Sequence, residues 1–287
     1  IVISAEPMTQ EKTWLSFADT SWYDDYDGEG SYEIDSAEDL AGLAYLVNIE
    51  GETFSGETIE IPENTVISLK NIDGRGGTMR WPGIGISSNY NYFAGTFIGN
   101  DCTIMDMKRI DKEGSDGGLF NNCSGATIKG IRLRGDTKVL SNGGGIVGSA
   151  DSCTIENCIN YTDVTNQDEK GECAGGIAGR AVGSTINNCI NRGDICGYSY
   201  VGGIAGNCYA EISNIKNCSN YGVVKTLLYD TCASGDSALG VNGTGGICGR
   251  AYANIDQCAN FGKIYSTDRC TGGIVGKLDS IVSSTAY

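Results

Sequence analysis

The chain has 287 residues, a formal charge of −16, no histidine, 43 glycines, three prolines and 13 cysteines. Such a charge repels phosphate backbones and anionic bilayers, which argues against nucleic acid and membrane-surface partners. Without histidine the usual general base, triad member and zinc ligand are missing, so any chemistry would rest on carboxylates, thiols, Lys, Tyr or Ser.

Residues 1–30 read as a lead segment. IVISAEP at its start reads as the end of an apolar signal region with an Ala-containing cleavage site, a pointer to secretion, or as a remnant of cloning. No stretch reaches about 18 consecutive apolar residues, so no membrane insertion is expected. YDDYDGEG at Tyr23–Gly30 clusters Asp24, Asp25, Asp27 and Glu29. It lacks the twelve-residue EF-hand spacing and reads as a solvated acidic loop rather than a calcium site.

Residues 31–287 read as a single domain: a helical cap over 31–55, first coils over 56–116, and repeat coils over 117–287. Ser36 is a candidate N-cap, with Asp39 in the capping-box position. Leu40, Leu43, Ala44 and Val47 mark one helical face, and Gly51 lies just past the end of an expected helix of about 11 residues. A helix here would cover the open end of a solenoid. Thr58–Leu69 alternates weakly and predicts the first strands.

A five-letter block then recurs at Gly144 (GGIVG), Gly175 (GGIAG), Gly202 (GGIAG), Gly245 (GGICG) and Gly272 (GGIVG), with a degenerate GGLF at Gly117–Phe120. A second block, Ile-x-x-Cys-x-Asn, follows the first four. Each unit of about 27 residues holds short apolar patches divided by small residues, too short for helices. That pattern predicts one coil of a parallel β-helix per unit, about eight coils in all, with equivalent residues stacked in columns.

Ile146, Ile177, Ile204, Ile247 and Ile274 should then form an inward aliphatic stack, as should Ile155, Ile186, Ile215 and Ile255. Asn160, Asn191, Asn220 and Asn260 predict an amide ladder suited to a left-handed turn. Cys158, Cys189, Cys218 and Cys258 predict a column of buried thiols, since parallel side chains on equivalent backbones seldom reach disulfide geometry. Tyr161, Tyr221 and Phe261 share a column interrupted by Arg192; it reads as structural stacking, with a platform for sugar rings as the functional alternative. Arg180, Arg250 and Lys277, broken by Asn207, read as a basic strip on a solvated face. Asp163 and Asp194 are the one acidic pair at glycosidase-like separation, but their column continues as Val223 and Lys263. The surplus of the longest repeat falls in Val224–Thr244, where Leu227, Leu228 and Tyr229 are apolar for a loop. Long loops on rigid scaffolds carry recognition, so these three are candidate binding residues with Tyr161, Tyr221 and Phe261.

The order FADTSWYDDYDGEGSYEIDSAEDLAGLAYLVNIEGETFSGETIEI, RWPGIG, YFAGTFIGNDCTIMDM, GGLFNNCSGATIKGIRL and the GGIxG repeats resembles bacterial surface proteins with GLUG-type repeats. The resemblance runs from about Phe17 to the C-terminus. Ile98 and Asp101 depart from it, standing where the family tends to write Asp and Gly. Such repeats occur in large secreted proteins, including adhesins and the non-catalytic parts of some immunoglobulin A1-specific metalloendopeptidases. The resemblance implies a right-handed parallel β-helix, an extracellular setting and an adhesive role. It carries over no catalytic residues.

The expected protein is an all-β, right-handed parallel β-helix with a short N-terminal capping helix. It is expected to be a non-catalytic monomer, secreted or at a cell surface, that needs no cofactor or metal. Its expected partners are glycans or glycoproteins of a host or neighbouring cell. A polysaccharide-active β-helix enzyme (lyase or glycoside hydrolase) and a passive stalk between other domains are the alternatives.

Overall fold

In a computed structural model, the residues described are 14–25, 28, 30–70, 79–86, 90–110, 116–167, 173–227, 242–267 and 269–279. The chain winds into a parallel β-solenoid. Ladders between successive coils are parallel along its length, from Tyr32–Glu33 against Thr58–Glu60 to Cys248–Asp256 against Val275–Leu278. Two sheets result, a large one and a narrow one made from the Gly-Gly segments.

Seven coils are counted on one inward column: Ile59, Phe97, Ile128, Ile155, Ile186, Ile215 and Ile255 stand in consecutive register. The last repeat adds a partial further turn through Cys270–Gly272 and Val275–Leu278. All seven side chains are buried. Alternation explains the column, because every second residue of a strand faces the same side. Ile146, Ile177, Ile204 and Ile247 form the second aliphatic column, each fully buried and joined to the next coil by a backbone hydrogen bond of 2.9–3.1 Å.

The repeated glycines are explained by close approach, not by a left-handed backbone. A Cβ on Gly175 would lie 2.0 Å from the Ala178 carbonyl oxygen; on Gly179, 2.7 Å from the Gly143 nitrogen of the preceding coil. On Gly176 it would meet the Asn191 side chain. A tight corner and both neighbouring coils therefore each exclude a side chain.

Asn160, Asn191, Asn220 and Asn260 form the expected ladder, each amide donating to the next Oδ1 at 2.8–2.9 Å. Each also donates to the carbonyl two residues on, which pins the corner. The left-handed conformation falls elsewhere, at Asn157, Asn188, Asn217 and Gln257, three residues before each rung (φ 50–55°). The thiol column is also present. Cys158, Cys189 and Cys218 are fully buried and Cys258 nearly so, all free. Each of the last three donates to a carbonyl of the preceding coil at 3.5–3.7 Å.

The cap forms as Ala37–Tyr45, one short α-helix. Ser36 accepts from the Asp39 N–H and the Asp39 carboxylate accepts from the Ser36 N–H, completing the capping box. The helix widens into a π-type turn over Leu46–Glu50 and stops at Gly51, which is left-handed (φ 79°). Leu40, Leu43, Ala44 and Val47 are fully buried in the main core. Trp14 is buried beside them and its indole N–H donates to the Leu69 carbonyl at 3.2 Å. Thr58–Glu60 and Val66–Ser68 are strands as expected, but the first strand is Tyr32–Glu33, ahead of the helix and paired with Thr58–Glu60.

Candidate functional site

A groove of about 610 Å³ runs along the solenoid axis across five coils. Its lining is contributed by Glu60 in the first coil, Ile98, Asn100 and Asp101 in the second, and Lys129 in the third. Asn157 with Ile159 and Asn188 with Ile190 continue it. Four steps of coil stacking give it a length of about 19 Å. The left-handed turns at Asn100, Asp101, Asn157 and Asn188 build this wall. Short polar side chains tolerate that conformation best, which accounts for their types. Asn188 donates to Asn157 Oδ1 at 2.6 Å, and Asn100 donates to Glu60 at 2.7 Å. Asp101 is engaged by Arg132 at 3.3 Å, whereas Lys129 has no polar partner among the described residues. An aliphatic floor edged with amides and mixed charges suits an extended polar ligand with apolar ring or chain faces.

Two residues beyond Ile159 and Ile190 on the same coils stand Tyr161 and Arg192. They belong to a surface ladder of five rungs: Arg134, Tyr161, Arg192, Tyr221 and Phe261. The Arg134 guanidinium lies 4.1 Å from the Tyr161 ring centre, and that of Arg192 lies 4.7 Å from the Tyr221 ring centre. Tyr221 and Phe261 stack at 4.9 Å with their planes 17° apart. Arg192 is thus a rung rather than an interruption. Cation–π contact and ring stacking hold the ladder together. These contacts cover a face of each of the Tyr161, Tyr221 and Phe261 rings.

Next along the coils, Asp163 and Asp194 stand in register as expected, with Asp136 before them. Asp163 Oδ1 accepts the Asp194 N–H and Asp194 Oδ1 accepts the Val223 N–H, both at 2.8 Å. One oxygen of each carboxylate therefore joins coil to coil.

The basic column has the expected register, Arg180, Asn207, Arg250, Lys277. Arg250 and Lys277 are both paired with Asp279, and Arg250 also lies over Tyr200 and Tyr209. Its last two cations thus share one carboxylate. Of the expected loop residues, Leu227 is half-buried and its N–H donates to the Gly197 carbonyl at 2.7 Å. Val224–Thr226 just before it is strand. Leu228 and Tyr229 lie outside the described residues, as do Asp27 and Glu29 of the acidic segment. No group of three His, Cys, Asp or Glu residues could hold a metal ion among the described residues.

Burial makes three of the internal thiols poor nucleophiles: it pushes Cys102 and Cys208 up to about 12 and Cys153 up to about 11. Cys123 and Cys248 are raised by the same cause.

Two parts of this site escaped the sequence reading. Arg134 sits in a coil written IKGIRLRGD, without the Cys-x-Asn frame that marks the column elsewhere. The amide wall did leave a signal: Asn157, Asn188, Asn217 and Gln257 each immediately precede the repeated cysteine.

Fold and site together define a parallel β-solenoid whose surface is organised as side-chain ladders one coil apart. A solved structure from Bacteroides ovatus, described as a "putative immunoglobulin A1 protease", shares this fold. It aligns with a TM-score of 0.59 at 20% identity, over 90% of this chain and 78% of that one. No family model and no curated protein matches the chain.

Proposed function

We propose that the protein is a non-catalytic extracellular module, secreted or held at a cell surface, that binds glycans or glycoproteins and serves adhesion. The observation that carries this reading is the axial groove from Glu60 to Ile190. It is long, open and rigidly framed by stacked coils. Its amides and aliphatic floor match the hydroxyls and apolar faces of a sugar chain. The acidic pair that would have suggested hydrolysis supports the same reading, because Asp163 and Asp194 each commit an oxygen to the next coil. The likeness to the Bacteroides chain supports the scaffold.

The test is a glycan array probed with the purified chain, with released products assayed in the same wells. Saturable binding without products, weakened by Asn157→Ala and Asn188→Ala together, is expected. Product release would replace this reading with the enzyme, and neither binding nor products would leave a stalk.

A further inference from the structure

The five-rung ladder has a chemistry that stacking alone does not require. Arg134 and Arg192 are exposed, yet each guanidinium is held against a tyrosine ring. Neither guanidinium has a hydrogen-bond or ion-pair partner among the described residues, and neither do the hydroxyls of Tyr161 and Tyr221. In a chain of charge −16, two cations left unpaired beside a row of aspartates are conspicuous. Pairing each would have taken one carboxylate. Arg250 is paired with Asp279 in that way.

Stacking fixes the plane of a guanidinium and leaves its N–H edge pointing away from the ring. That edge is the part that recognises a planar carboxylate through two parallel hydrogen bonds. Because the ring has already restricted the side chain, less entropy is lost on binding. The two arginines stand on alternate coils, about 10 Å apart along the axis. The rung between them offers a phenol hydroxyl. Asp163 and Asp194, two residues further on, each bind the next coil through one oxygen and have a second oxygen that can accept a sugar hydroxyl. The same aspartates repel a dense polyanion, so the strip selects spaced single charges over a phosphate or sulfate backbone.

The geometry points to a recognition strip for a glycan in which carboxylate-bearing sugars alternate with neutral ones. Arg134 and Arg192 take the carboxylates, while Tyr161 and the two aspartates take hydroxyls. The strip lies beside Ile159 and Ile190 of the groove, so one chain running along the axis can touch both. This inference rests on the glycan-binding reading above and narrows its ligand to an acidic class.

Titration calorimetry of the full chain tests it, using a hyaluronan octasaccharide, the same oligosaccharide with its carboxyl groups reduced to alcohols, a neutral cello-oligosaccharide and poly-glutamate. Binding of the acidic oligosaccharide is expected, with about a tenfold loss or more on carboxyl reduction. Arg134→Gln and Arg192→Gln should each cause a similar loss. Arg192→Lys should not restore binding, because an ammonium lacks the bidentate fork. Both arginines are exposed, and an unchanged melting temperature in each variant confirms that the fold is intact. Equal binding of the reduced oligosaccharide, indifference to the Arg134→Gln/Arg192→Gln pair, or tighter binding of poly-glutamate would each overturn the inference. Arginine-independent binding of the neutral probe would overturn it while leaving the glycan-binding reading in place. Binding of no probe would overturn the inference, and the array then decides the broader reading.

Discussion

Gly176 and Asn191 exclude each other's growth: a Cβ on the glycine would sit 2.3 Å from Cγ of the asparagine. The same relation holds for Gly145 with Asn160, Gly203 with Asn220 and Gly246 with Asn260, at 2.3–2.4 Å. Two motifs that look separate in the sequence are therefore one device. The asparagine ladder needs room against the wall, and the second glycine of the first four GGIxG blocks provides it, while Gly273 of the fifth has no such neighbour.

Gly176→Ala should accordingly destabilise the chain by about 1–3 kcal/mol through overpacking. Asn191→Ala removes bonds to Asn160, Asn220 and Gly193. It strands their partners at a cost of about 2–4 kcal/mol. The double variant should lose less than the sum of the singles, because deleting the amide relieves one of the two clashes of the new methyl and leaves the one with the Gly203 carbonyl oxygen at 2.3 Å. Urea denaturation of all four proteins measures this. Strict additivity would mean that glycine and asparagine act independently.

Periodic contacts were legible in the sequence because stacking turns each repeated letter into a repeated environment. The aliphatic, amide and thiol columns and the Ser36 cap all followed from spacing. Orientation was not legible. Arg192 looked like a break in an aromatic column because sequence compares residue types, whereas the ladder depends on a guanidinium lying over the next ring. Glycine was ambiguous too, since left-handed turns and close approach both select it. The left-handed positions went instead to Asn157, Asn188, Asn217 and Gln257. The groove was hidden because its walls come from five coils, and only those of Asn157 and Asn188 carry the repeated Ile-x-x-Cys-x-Asn motif.

The cap offers a local test. Ser36→Ala deletes the acceptor for the Asp39 N–H and should cost about 0.5–2 kcal/mol. Because Leu40, Leu43 and Val47 cover the first coil, the effect should spread beyond the helix. Hydrogen exchange should quicken over Ala37–Tyr45 and over Thr58–Glu60, while the Gly245 repeat stays protected. Faster exchange confined to the helix would show that the cap and the coils open separately.

The buried thiols predict alkaline sensitivity. Desolvation raises Cys102 and Cys208 from about 9 to about 12 and Cys153 to about 11. Between those limits the folded chain keeps protons that the unfolded chain gives up. Stability is therefore fully present below pH 9 and falls as pH rises through the folded values. Each thiol contributes a slope of up to about 1.4 kcal/mol per pH unit. Denaturation midpoints should drop from pH 9 to pH 11, and Cys208→Ala should make that drop shallower. A variant with the wild-type pH slope would remove Cys208 from the account.

Asp163 and Asp194 separate a structural from a catalytic role through a conservative change. As coil-to-coil acceptors they need only an oxygen at Oδ1, which an amide retains. Asp163→Asn and Asp194→Asn should leave stability within about 0.5 kcal/mol of the parent. Asp194→Ala, which deletes the acceptor for the Val223 N–H, should cost about 1 kcal/mol. A glycosidase pair behaves in the opposite way: the amide abolishes turnover because it can neither attack nor exchange a proton. Thermal melts and a product assay on pectic and hyaluronan substrates distinguish the two. The structural role predicts no products from parent or variants, with stability ordered parent, Asn, Ala. Products from the parent that vanish in both Asn variants would place catalysis on these carboxylates.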